Sequence, residues 1–100
     1  MNKSDKAAMD VNDWRKRIDE LDAKLVELLN ERSRFVAEIG RLKRKTKQPI
    51  YQPEREREIL ERVQALNRGP LRNEALKRLF ERILDEARAL EQEASGEKDS

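Results

Sequence analysis

The sequence predicts an all-α protein of three helices, the first much longer than the other two. Three observations predict it. The 100 residues include only three Gly and three Pro, with 44% charged and 36% hydrophobic residues, a composition rich in helix formers and poor in turn formers. Apolar residues recur at helical spacing, as in Ile18, Leu21, Leu25 and Leu28, instead of alternating as they would in a strand. The net charge is only +2, whereas disordered chains combine high net charge with scattered apolar residues.

Residues 1–12 are polar and without period, and are expected to form a disordered arm. A single helical domain over 13–94 follows, then a disordered polar tail over 95–100. The first helix is expected to start near Asn12 or Asp13, either of which can cap its free N–H groups. It should run to about Lys45, roughly 50 Å. Residues 41–47 hold five basic residues in seven, which complement the negative end of the helix dipole, and Gln48-Pro49 opposes continuation. A helix of that length cannot bury its stripe on two shorter helices of its own chain. A core of this size is also marginal for a lone monomer, so a second copy is the natural partner.

The second helix opens at Pro53, with Glu54, Glu56 and Glu58 at the positive end of its dipole. Its apolar face is Ile59, Val63 and Leu66, with Leu60 beside it; Glu56, Arg55 and Gln52 step back from Ile59 along that face. Gly69 and Pro70 suit a stop. The third helix is expected over 71–94, with Leu76, Leu79, Phe80, Ile83, Leu84, Ala87 and Leu90 apolar.

With no Cys and no His, the chain has no disulfide framework, thiol nucleophile or zinc–thiolate site. It also has no Gly-rich phosphate loop. No apolar run approaches the ~20 residues that span a bilayer, and the N-terminus carries no secretory apolar segment. The expectation is a soluble cytoplasmic protein with no membrane role. The basic run over 41–47 lacks interleaved aromatic residues for base stacking, which argues against a nucleic-acid surface. Any chemistry rests on Arg, Lys, Glu and Gln.

The anomaly is Arg32. It occupies the next rung of the apolar ladder, and the same face continues as Val36, Ile39 and Lys43, at offsets of four, seven and eleven. On a helix that places two cations ~16 Å apart around an apolar floor, suited to a small anion. The plain alternatives are a snorkelling or ion-paired Arg32, a solvated Lys43 near a helix end, and a surface pair network around Arg55. Glu91 follows Phe80, Leu84 and Ala87 at offsets of eleven, seven and four, so a carboxyl group ends an apolar face of the third helix.

The joint pattern resembles the all-helical, AroQ-type chorismate mutases over about residues 14–92. It is carried by W-R-K-R-I-D-E-L-D-A-K-L-V-E-L-L-N-E-R, V-A-E-I-G-R-L-K, P-I-Y-Q-P-E-R-E-R-E-I-L and L-F-E-R-I-L-D-E-A-R-A-L-E. The resemblance implies a three-helix protomer in an intertwined homodimer with two equivalent sites. Each site takes Arg32, Lys43, Arg55, Glu56 and Glu91 from one chain and Arg15 from the other. Helix geometry agrees, since Arg15 lies 17 residues before Arg32, about 25 Å along the axis. That is too far for both to hold one small molecule.

The implied reaction is the cofactor-free Claisen rearrangement of chorismate to prephenate, in aromatic amino acid biosynthesis, with no metal. Arg15, Arg32 and Arg55 suit carboxylate binding, and Val36, Ile39, Ile59, Leu84 and Ala87 the apolar walls. Lys43 is the donor to the ether oxygen, and Glu56 holds the ring hydroxyl. Three positions depart from the family pattern. Gln52 stands where many members carry an acid, Ala87 where some carry a small hydroxyl residue, and Glu91 where Gln is common. Glu91 can donate a hydrogen bond only when protonated, so a protonated Glu91 is expected in the complex. Isochorismate-pyruvate lyase chemistry on the same scaffold stays open. So does a non-catalytic dimerisation or regulatory module that docks on another shikimate-pathway enzyme.

Overall fold

The computed structural model describes residues 8–96; the disorder expected of residues 1–7 and 97–100 lies outside the described residues. Three helices follow one another: α1 (Val11–Thr46), α2 (Pro53–Leu66) and α3 (Asn73–Ser95). No strand occurs among the described residues. The all-helical, three-element expectation therefore holds.

Helix ends differ from expectation by one or two residues, each for a local reason. The cap of α1 is Asp10, not Asn12 or Asp13. The Asp13 N–H donates to Asp10 Oδ1 at 2.9 Å, and the Asp10 N–H donates back to Asp13 Oδ2 at 3.1 Å. This reciprocal pair satisfies two otherwise orphaned donors, so Val11 and Asn12, expected in the arm, are helical. At the other end Lys47 takes φ 60°, and the Gln48 N–H reaches back to the Lys43 carbonyl at 3.1 Å. The third helix starts at Asn73 instead of 71. Asn67 Nδ2 donates to the Leu71 carbonyl and to Asn73 Oδ1, each at 2.7 Å, while its Oδ1 accepts from the Gly69 N–H, holding the connection out of helix. Ser95, expected in the tail, is the last residue of α3 and is buried. Gly96, at φ 83°, caps it by donating its N–H to the Gln92 and Glu93 carbonyls.

The chain divides into two compact units after Arg32. In the first, α1 carries Val11, Trp14, Ile18, Leu21, Leu25 and Leu28, all more than half exposed. The ladder expected to be buried is thus open in the single chain.

The second unit holds the rest of α1 with α2 and α3. Its buried apolar residues are Ile50, Ile59 and Leu84, and Gly40, Lys43 and Ser95 are buried with them. Gly40 is required here: a Cβ at this position would lie 2.6 Å from the Glu91 carbonyl oxygen and 3.1 Å from Ala94 Cβ. The bare backbone lets α1 approach α3 beside Glu91. Two expected core residues are exposed. Leu66 is the final residue of α2, where the chain turns away, and Leu79 lies five residues before Leu84, off the buried face.

Candidate active site

Lys43 sits in the last turns of α1, where cations complement the helix dipole, yet it is buried. A lone buried ammonium would be strongly destabilising, and the fold supplies two partners. The Nζ lies 2.7 Å from Glu91 Oε2, with the two side chains only 9% and 12% exposed. It also donates to the Ile50 carbonyl at 3.2 Å. An ammonium group has three N–H donors, so the third remains for another acceptor.

A second ion pair lies half-buried between α2 and α3. Arg88 Nη2 is 2.9 Å from both oxygens of Glu56, and its Nε donates to Oε2 at 3.1 Å. The same guanidinium lies 4.9 Å from the centre of the Tyr51 ring and 3.4 Å from Asp85. Hydrogen bonding to Glu56 holds Arg88 protonated more firmly than an ordinary arginine, against a smaller opposing effect of burial. A third pair, Arg55 with Glu58 at 2.7 Å, is exposed on α2; the Arg55 hydrogen bond and charge lower the Glu58 carboxyl below its usual range. Chemically, the second unit offers a fixed cationic donor, an oriented carboxylate and three buried apolar residues. Among the described residues no group of His, Cys, Asp or Glu is placed to hold a metal ion, and no helix is long and apolar enough to cross a membrane.

Residues 14–92 match the family model of chorismate mutase type II, most of the chain. The chain belongs to the type II chorismate mutase family. Among curated relatives, the bifunctional chorismate mutase/prephenate dehydratase of Pseudomonas aeruginosa is 46% identical over 83 residues, covering 78% of this chain and 23% of that protein. The chain thus spans under a quarter of that relative's length. A chorismate mutase of Methanocaldococcus jannaschii is 38% identical over 52 residues, 52% of each. Two chorismate mutase structures share the architecture. That of Thermus thermophilus (Form II) superposes with a TM-score of 0.81 at 38% identity, covering 82% of this chain and 93% of that one. That of Helicobacter pylori, in complex with prephenate, gives 0.78 at 31% identity, covering 87% and 94%.

The candidate residues of this chorismate mutase family member fall into groups. The structure joins Lys43 to Glu91, and Glu56 to Arg88. Ile59 and Leu84 are buried, Val36 and Ala87 half-buried, and Ile39 is exposed. Gln52 stands exposed at the N-cap position of α2, making no side-chain capping hydrogen bond, and lines an open groove with Tyr51, Arg55 and Glu58. Arg15, exposed, and Arg32, half-buried, belong to the first unit. Sequence reasoning missed Arg88, Tyr51 and Gly40. Arg88 carried a signal: it follows Leu84 by four and precedes Glu91 by three, a cation set into the same apolar face.

Proposed function

We propose that the chain is a chorismate mutase, rearranging chorismate to prephenate without a cofactor, on the route to phenylalanine and tyrosine. The observation that carries this reading is Lys43, a buried ammonium with two N–H groups committed to Glu91 and Ile50 and a third available. The rearrangement is unimolecular. A carbon–oxygen bond of the ether breaks as a carbon–carbon bond forms, and no proton or electron leaves the molecule. The enzyme has to hold the compact conformer and place a donor where negative charge grows on the ether oxygen. Lys43 is that donor. Glu91 orients that donor through their ion pair, Glu56 accepts from the ring hydroxyl, and Val36, Ile39, Ile59, Leu84 and Ala87 restrict the side chain. Arg32 and Arg55 bind carboxylates, with Gln52 in partial place of an acid beside the hydroxyl.

The working form is a homodimer. The open ladder of Val11, Trp14, Ile18, Leu21, Leu25 and Leu28 has the heptad-like spacing of a helix paired with its twin, and pairing it carries Arg15 to the second copy's site. Residues 13–94 are the catalytic domain.

The test is to incubate purified protein with chorismate and no additive, follow loss of the substrate's absorbance, and identify the product. Prephenate supports the reading. Inertness toward chorismate with salicylate and pyruvate from isochorismate overturns it in favour of a lyase, and inertness toward both leaves a non-catalytic module.

A further inference from the structure

Arg88 belongs to no part of the site as proposed, yet it contacts Glu56 and Tyr51. It bridges α3 to the first turn of α2 through Glu56, at 2.9 to 3.1 Å. It lies against the face of Tyr51. Tyr51 in turn follows Ile50, whose carbonyl accepts from Lys43. A carboxylate has about four lone-pair sites. The planar fork of Arg88 engages both oxygens from one side, leaving each able to accept from a hydroxyl on the other. Without a cation beside it, Glu56 would present an uncompensated negative charge to a dianionic substrate. Its long side chain would also be free to rotate.

We infer that Arg88 is a positioning residue: it neutralises and orients the Glu56 carboxylate for a substrate hydroxyl. The inference rests on the proposed reaction. Arginine is suited to this task and lysine is not. Only a guanidinium can engage both carboxylate oxygens and lie flat on a ring at once. Asp85 at 3.4 Å steadies the guanidinium from the α3 side.

The experiment is a double-mutant cycle on the full chain: steady-state kinetics with chorismate for wild type, Arg88→Ala, Glu56→Gln and the double variant, with thermal melts of each. Losing a hydrogen bond to a charged group costs about tenfold to a hundredfold, and Arg88→Ala should lose that much in kcat/KM, chiefly through KM. Because Arg88 acts through Glu56, the double variant should fall within about twofold of Glu56→Gln alone. Arg88→Lys, which keeps the charge without the fork, should be intermediate. If Arg88→Ala does not fold, Arg88→Lys alone and with Glu56→Gln makes the same comparison. Losses that multiply in the double variant overturn the inference, as does a variant that melts earlier with wild-type kcat and KM. Turnover in wild type with either of those results refutes Arg88 alone; no turnover in wild type removes the reaction and this inference together.

Discussion

Replacing Gly40 by alanine adds one methyl group at the closest approach of α1 and α3. Its carbon would sit 2.6 Å from the Glu91 carbonyl oxygen, 3.1 Å from Ala94 Cβ and 3.2 Å from Glu91 Cα. Favourable non-bonded separations begin near 3.5 Å, so the backbones must part by about 0.3–0.9 Å. The obstructing atoms are mostly main chain and cannot rotate aside. Overpacking of this kind costs about 1–3 kcal/mol, against a gain of about 1 kcal/mol from replacing glycine inside a helix. The net is a loss of about 0–2 kcal/mol. A change of 1 kcal/mol moves the Tm of a chain this size by about 4–8 °C, so a melt should show a modest fall. Turnover should suffer more, because the displaced backbone is that of Glu91 and misplacement of about 1 Å costs on the order of a hundredfold. Melts and kcat/KM for chorismate, measured on Gly40→Ala, test this together. A Tm raised by the helix-propensity gain, with unchanged kcat/KM, would refute the close approach.

Two further outcomes are expected. Leu21→Asp with Leu28→Asp should turn a dimer into monomers by sedimentation, abolish turnover and remove the concentration dependence of Tm; an active monomer would refute pairing of the ladder. Lys47→Gly should raise stability by about 0.5–1 kcal/mol, since the left-handed conformation at φ 60° strains a residue with a Cβ by about 1–2 kcal/mol and glycine's greater unfolded-state freedom returns part of that. Denaturant melts with unchanged kcat/KM would bear this out, and a lower midpoint would refute it.

What could be read from the chain beforehand follows from which interactions are local. Helical spacing around Ile18, Ile59 and Leu84 announced three helices because amphipathic periodicity needs no knowledge of the partner face. Lys43 and Glu91 each stood out as a charge ending an apolar face; their 2.7 Å pairing joins residues of two different helices. Arg88 escaped notice because its partner Glu56 is 32 residues away, and in a chain so rich in arginine a solvated role was the plainer reading. Gly40 was passed over for a related reason. Inside a helix a glycine reads only as a loss of propensity, and its use as a close-approach point shows only once α3 lies against it. The Asp10–Asp13 cap was legible as acid-x-x-acid at a helix start, but the polar stretch before it masked where the helix began.

The ion pairs also constrain where substrate attraction can come from. Lys43 with Glu91, Arg88 with Glu56 and Arg55 with Glu58 each sum to zero charge, so these six groups together offer a dianion orientation and donors but little net attraction. For Lys43 and Arg88, pairing lets a unit with few buried apolar residues hold cations away from water, because a buried charge without a counterion is far more destabilising than a paired one. A dianionic substrate therefore needs positive charge from beyond these pairs, and in the proposed dimer the second copy's Arg15 supplies it. On this argument the second copy supplies charge as well as buried surface. Separating the copies should raise KM steeply even under conditions where each chain stays folded, whereas a dimer needed only for stability would lose activity in step with its helical signal.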